Sequence, residues 1–521
     1  HIVVRRQRQM CIRDRLITSD QQHHDTIGKF NSKIQTPYLD KLCDEGMNFT
    51  RAYCPSPVCT PSRASIITGQ YPSSHGAWTI GVKLDEEVET IGELLYKNGY
   101  STGLIGKAHF QPLTSVPGQE SIEGQPTLRD LEFWKNFKGP WYGFEHIELA
   151  RNHADESHVG QHYAIWMEQN GLSDWKEYFQ PVPGETSKYA PPIAREYDYW
   201  ARPDRVWKLD EKHHYTNWTA ERSIEFLDQQ KDDKPFFLWT SFQDPHPPYV
   251  LSEPWASMYN PEDMSPGTLK EGEHELNPPH FGKTQTTNPD FENWHSPFNA
   301  HGCMSHLYPM EELKKDMAIY YGMVSFMDKN IGKIINKLDQ MGELDNTIII
   351  FTTDHGHFIG QHGLIAKGPF HYEDMLRLPF IVRWPDKVPQ NSSSSSLLSL
   401  VDLAPTFLKV AGIDIPTQMQ GVDQTDVFYG NKESIRSHIF VENRHNPRMP
   451  HLKTYINDNY KISIYREANY GELFDLENDP NEYNNLWDNT NAQTLKKDLL
   501  FKFAQATLKD ETSKMKRVSG A

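Results

Sequence analysis

Cysteine is scarce: Cys11, Cys43, Cys54, Cys59 and Cys303 are the only five in 521 residues. So few, so widely spread, do not make a disulfide framework, and they leave the redox compartment open. No apolar run reaches the roughly 18 residues of a membrane-crossing helix, so no membrane span is expected. Positive charge is also short, with 53 Lys and Arg against 70 Asp and Glu and a net charge of -17. That balance argues against a nucleic-acid backbone as partner, and any anionic ligand needs a local cationic pocket. No His/Cys spacing in residues 110–217 matches a structural zinc site, and no repeat of fixed period is present.

What is there fits a large soluble enzyme or binding protein. The length allows one large α/β domain plus a smaller one. Aromatics make up 12%, and seven of the 13 tryptophans fall between Trp134 and Trp218. Residues 1–15 are basic, begin without methionine and lack the apolar core of a signal peptide. They read as an atypical segment, with a missing or replaced native start as the expectation.

The most informative stretch is Cys54-Pro-Ser-Pro-Val-Cys59-Thr60-Pro61-Ser62-Arg63, running on to Thr68-Gly69. Three prolines stiffen the loop, and Ser62-Arg63-Ala-Ser-Ile-Ile reads as a helix start whose free N–H groups can face an anion. Alone, a buried structural cysteine beside a surface arginine would explain it. The pentapeptide Cys59 to Arg63 resembles the modification signal of the type I sulfatases, in which the cysteine is oxidised to formylglycine.

Other motifs lie at the ends of apolar runs, where α/β proteins collect ligands. Leu16-Ile-Thr-Ser ends in Asp20-Gln21. Tyr100 to Ile105 delivers Lys107 and His109, which in extended backbone point to one side. Lys234 to Phe242 runs into Asp244-Pro-His246-Pro-Pro, a stiff loop suited to a proton donor. Thr347 to Thr353, β-branched and buried in pattern, ends in Asp354-His355, and a glycine-rich loop then presents Lys367. Asp20, Gln21 and Asp354 are hard oxygen donors that favour Ca²⁺ or Mg²⁺.

These motifs occur in the order and spacing of the sulfatases over about residues 16–430. The resemblance implies an alkaline phosphatase-like fold: a large mixed sheet sandwiched by helices, with a smaller C-terminal α+β subdomain, residues 431–521, containing an antiparallel sheet. Residues 110–217 read as an aromatic-rich insertion, whose rings either stack on a sugar or form a core of their own. Carried over by resemblance, Asp20, Gln21, the modified Cys59, Asp354 and His355 hold the metal. His355 replaces the asparagine of many relatives, which brings in Mn²⁺ or Mg²⁺ beside Ca²⁺. Arg63 holds the modified residue, Lys107 and Lys367 bind sulfate oxygens, His109 takes a proton from the hydrated aldehyde, and His246 serves the leaving oxygen. His75 and Trp78 are expected to be structural.

The resemblance implies a sulfatase acting on a small-molecule or glycan sulfate ester, served by a formylglycine-generating maturase, in a periplasmic or secreted setting by family habit. Two rivals remain: a phosphonate monoester or phosphodiester hydrolase of the same superfamily, and a non-catalytic binder of sulfated glycans in which Cys59 stays a thiol.

Overall fold

Two-residue alternation builds the main sheet. The structure is a computed structural model that describes residues 13–192, 202–230, 234–291, 294, 300–445 and 449–512. In strand β1 (Arg13–Ser19), Leu16 packs into one hydrophobic cluster and Ile17 into another. The same alternation sends Ile348 and Ile350 one way and Ile349 and Phe351 the other, so the two clusters are the two faces of one sheet. Strands buried on both faces read as continuous apolar runs, as these do.

The remaining elements follow in chain order: α1 (Pro37–Asp44), β2 (Met47–Phe49), α2 (Cys59–Thr68), β3 (Ser101–Gly106), β4 (His146–Leu149), α3 (Tyr215–Asp228), β5 (Phe236–Ser241), α4 (Met310–Gln340), β6 (Thr347–Thr353), β7 (Ile381–Arg383), β8 (Ser392–Ser394) and α5 (Leu403–Val410). The eight strands lie in the order β8-β2-β7-β6-β1-β5-β3-β4. Strands β6, β1, β5, β3 and β4 run parallel, while β7 is antiparallel to both its neighbours. The mixed sheet expected from the sequence is present. Met327, Ile331, Ile334 and Leu338 of α4 recur at helical spacing and cover one face with α1 and α3. Ile66 and Ile67 of α2 and Phe407 and Leu408 of α5 lie on the other.

Three local readings change. Strand β1 begins at Arg13, so Arg13-Asp14-Arg15 belong to the sheet and not to the segment before it. The low-complexity serine run 392–396, which as sequence reads most simply as a surface loop, supplies edge strand β8, parallel to β2, because an edge strand with partly solvated faces needs backbone partners more than apolar side chains. The stretch 110–217 supplies edge strand β4 as well as its own cluster, in which Trp166, Trp175, Trp207 and Trp218 are buried with Tyr163 and Tyr215. Trp134 and Trp141 are buried in the main core. These six rings are therefore core and have no face free for a sugar; Trp200 lies outside the described residues.

Beyond residue 431, four antiparallel strands, β9 (Ile439–Arg444), β10 (His451–Ile456), β11 (Tyr460–Tyr465) and β12 (Gly471–Asp475), pair in sequence order. Helix α6 (Gln493–Lys509) closes their apolar face through Leu499, Phe503 and Ala506.

Candidate active site

Five neighbouring parallel strands end at one edge of the sheet, and each is followed there by polar or charged side chains. Asp20 and Gln21 follow β1, Lys107 and His109 follow β3, Arg151 and His153 follow β4, Asp244 and His246 follow β5, and Asp354 and His355 follow β6. The turn after β3 requires glycine: Gly106 has φ 105°, and a Cβ there would stand 1.9 Å from the Ser241 carbonyl oxygen.

Cys59 opens α2, with Val58 as its extended N-cap. The helix thus begins at the cysteine itself, three residues earlier than Ser62. Cys59 Sγ lies 3.1 Å from His355 Nε2, 3.2 Å from Lys367 Nζ and 3.7 Å from Asp20 Oδ1. Burial would raise its thiol, but Lys107 and Lys367 outweigh that and bring it down to about 7.

Arg63 ties the site together from the next turn. Its Nε donates to Asp354 Oδ2 at 2.8 Å, and its Nη1 donates to the Lys107 carbonyl at 2.9 Å and to Ser241 Oγ at 2.7 Å. Its Nη2 is 3.7 Å from Asp20 Oδ2, which also pairs closely with Lys107 Nζ. Burial works against charge on Asp20, yet Lys107, His246 and Arg63 hold its carboxyl well below the usual carboxylate range. Lys367 Nζ also reaches His246 Nε2 at 3.0 Å, while His246 Nδ1 donates to the Pro247 carbonyl at 2.5 Å. Burial, then His153 and Lys367, pushes the His246 imidazolium far down, so the ring is neutral.

The donor set fits a divalent cation. Ligand atoms of Asp20, Cys59, Asp354 and His355 all lie within 4.8 Å of one another and are buried. His355 Nδ1 donates to the Gly356 carbonyl at 3.0 Å, which leaves the Nε2 lone pair facing the cluster. Gln21 sits at φ 59° with Oε1 buried and unpartnered, while its Nε2 is 2.7 Å from His357 Nδ1. Tyr249 OH engages the other nitrogen of His357 at 2.6 Å, so a chain of side chains aims Gln21. A second group, His23, His24 and Asp374, is close enough to hold an ion, but the Arg377 guanidinium lies 2.9 Å from His24 Nε2 and opposes a cation there.

Residues 16–413 match the family described as Sulfatase. The chain belongs to the sulfatase family. Residues 360–509 of this sulfatase also match the family described as N-sulphoglucosamine sulphohydrolase, C-terminal. It is 31% identical over 477 residues to an arylsulfatase of Clostridium perfringens, across 90% of this chain and 89% of the relative. An N-acetylglucosamine-6-O-sulfatase of Bacteroides thetaiotaomicron is 25% identical over 519 residues, across 90% of this chain and 81% of the relative. The solved phosphonate monoester hydrolase of Agrobacterium radiobacter covers 96% of both chains with a TM-score of 0.76 at 22% identity, a likeness of fold. The sulfatase is a hydrolase with the alkaline phosphatase-like fold.

Asp20, Gln21, Cys59, Arg63, Lys107, His246, Asp354, His355 and Lys367 are bonded into this one cluster, while the contacts of His109 are with Arg151 and Glu123. His109 needs one correction: its backbone is left-handed, φ 62°, so it does not continue the extended path from Lys107. Sequence reasoning missed the contribution of β4. His153 Nε2 is 2.7 Å from Lys107 Nζ, its Nδ1 is 2.7 Å from Glu156 Oε2, and its ring stacks on His246 at 3.7 Å. Arg151 Nη2 is 2.6 Å from His109 Nε2, and both Glu123 oxygens accept backbone N–H groups of His109, Phe110 and Gln111. The signal for these was present only as Arg151-Asn-His153 following a four-residue strand too short to show a period.

His75 is buried against Ser65 Oγ at 3.1 Å, and the half-buried Trp78 lies under the Arg444 guanidinium at 4.7 Å.

Proposed function

We propose that this sulfatase hydrolyses the sulfate ester of a sulfated carbohydrate, with formylglycine made from Cys59 as nucleophile and a divalent cation held by Asp20, Gln21, Asp354 and His355. The observation that carries the reading is the position of Cys59 Sγ, within 3.7 Å of an acid, an imidazole and an ammonium at once. Against burial, two ammonium groups already draw the Cys59 thiol down to about 7, and the hard carboxylates beside it suit an oxygen next to a hard cation better than sulfur. The bound cation supplies Lewis acidity, lowering a hydroxyl pKa and drawing charge from the ester.

The remaining roles belong to the chain's own side chains. Arg63 orients the modified residue and fixes Asp354. Lys107 and Lys367 grip sulfate oxygens, whose negative charge spreads in the transition state. His109 attends the second hydroxyl of the hydrated aldehyde. The Lys367–His246 pair delivers a proton to the leaving oxygen, since the neutral His246 ring already accepts from the ammonium.

Support for a sugar comes from the N-acetylglucosamine-6-O-sulfatase relative and not from the tryptophans, which are core. Ca²⁺ is the ion favoured by three oxygen donors, with Mg²⁺ or Mn²⁺ fitting the added imidazole. A panel of defined sulfated monosaccharides, an aryl sulfate and a phosphodiester of the same phenol tests the reading. Turnover of a sulfated sugar above both controls is the expected result. Preference for the phosphodiester would transfer the chain to the phosphonate monoester and phosphodiester hydrolases.

A further inference from the structure

His153 touches both Lys107 and His246, one with its edge and the other with its face. The turn from His153 to Glu156 is closed by the Glu156 backbone N–H, which donates to the His153 carbonyl at 3.0 Å. It is closed again by the Glu156 carboxylate, whose Oε2 accepts from the His153 backbone N–H at 3.2 Å and lies 2.7 Å from His153 Nδ1. Both side chains are buried. The other ring nitrogen, Nε2, is 2.7 Å from Lys107 Nζ. An ammonium only donates and a carboxylate only accepts, so His153 carries its proton on Nδ1 and turns the Nε2 lone pair to Lys107. A second N–H of the same ammonium goes to Asp20, and the third has no acceptor among the described residues. The His153 ring stacks on His246 with centroids 3.7 Å apart and planes 13° from parallel.

We propose, on the reading that Lys107 grips a sulfate oxygen and His246 serves the leaving oxygen, that His153 is a positioning residue for both. Its edge takes one Lys107 N–H so that another stays aimed at sulfate, its face fixes the plane of the His246 ring, and Glu156 holds His153 in turn. A lysine ammonium turns on a flexible four-carbon stem. Two fixed acceptors, Asp20 and His153, remove that freedom, because the three N–H bonds of a tetrahedral nitrogen cannot turn independently. A ring stacked face to face cannot rotate about its Cβ–Cγ bond without losing the contact, so His246 keeps Nε2 on Lys367. Packing alone does not call for this chain of groups: an apolar side chain would fill the same volume without burying a carboxylate beside it.

The test compares variants of the full-length, metal-loaded, formylglycine-bearing protein by two readouts: inhibition by inorganic sulfate, and the ratio of kcat/KM for phenyl sulfate to that for nitrophenyl sulfate. His153→Phe keeps a flat ring over His246 but offers Lys107 no acceptor. Its inhibition constant for sulfate should rise about 10–100-fold while the ratio holds within about 2-fold. His153→Gln keeps an acceptor near the Nε2 position but loses the ring. Its sulfate inhibition should hold within about 2-fold while the ratio falls about 3–10-fold, since phenol needs the proton more than nitrophenol. Glu156→Leu, which frees the ring, should raise the sulfate constant at least about 5-fold. Glu156→Gln, whose amide oxygen still accepts from Nδ1, should recover most of that loss; this pair also serves if a His153 variant does not fold. Both readouts moving together in the two His153 variants, or neither moving, would overturn the inference. Sulfate inhibition that survives Lys107→Met would refute the grip assigned to Lys107, and the role of the His153 edge would fall with it.

Discussion

Lys367 Nζ rests 3.2 Å from Cys59 Sγ, although 308 residues separate the two. The same ammonium is 3.0 Å from His246 Nε2, so one lysine links the proposed nucleophile to the proposed proton donor. Neither contact has any evident structural purpose, since an apolar side chain would fill the space without burying a charge.

The link predicts how His246 matters. His246→Ala should lower kcat/KM by about 10²–10⁴-fold for an alkyl or sugar sulfate, whose leaving oxygen needs a proton. For a nitrophenyl sulfate, whose leaving group departs as an anion, the loss should be far smaller. Equal losses on both substrates in a steady-state comparison would remove the proton-donor role.

Cation binding should depend on residues that never touch the ion. His357 is fixed by Tyr249 and in turn holds Gln21. His357→Ala is expected to weaken metal affinity by about 10–100-fold, measured by titrating Ca²⁺, Mg²⁺ or Mn²⁺ into chelator-treated protein. Unchanged affinity would place Gln21 outside the coordination sphere.

A pH effect on stability follows from His362. Burial opposes its charge, but Asp374, 3.4 Å away, and Glu273, in close contact, prevail and raise it to about 9. Its folded value lies above the unfolded value of about 6.5, so its contribution is complete below about pH 6.5 and is lost as pH rises through about 9. The loss is on the order of 2–3 kcal/mol. Urea midpoints from pH 6 to 9.5 should fall in the wild type and stay flatter in His362→Gln; parallel curves would contradict the assignment.

Strand β1 carries a removable burden. Asp14 is fully buried with neither oxygen bonded, and burial pushes its carboxyl well above the usual range. Arg15 makes one bond, Nη2 to Thr240 Oγ1 at 3.0 Å, and leaves Nε and Nη1 unpartnered. Replacing both with valine should stabilise the fold by about 1–4 kcal/mol, seen as a higher thermal midpoint. A lower midpoint would show that unseen partners satisfy them.

The main sheet and the acids at its edge were legible in the sequence for one reason, whereas Cys59, Arg63 and Lys367 were found through the resemblance of their motifs to the type I sulfatases. Parallel strands buried on both faces leave long apolar runs, and the polar residue that stops each run is the one that reaches the site, as at Ser19-Asp20 and Thr353-Asp354. Short elements left no such mark. Strand β4 has four residues, one of them Glu148, so Arg151 and His153 looked like part of an aromatic insertion. The tryptophans of that stretch misled in the other direction, because composition cannot tell a ring that packs from a ring that binds. Glu123 was invisible for a further reason: its partners are backbone N–H groups, which every residue possesses.

The central claim is that Cys59 works as an aldehyde hydrate and not as a thiol. Its most direct measurement is the mass of the tryptic peptide containing Cys59, taken from protein made with a formylglycine-generating maturase and assayed in the same preparation. The account predicts a peptide about 18 Da lighter than the cysteine form, in a fraction that tracks sulfate-ester turnover, with Cys59→Ala reduced by at least about 10³-fold. Full turnover from protein whose peptide retains the intact cysteine mass would contradict it.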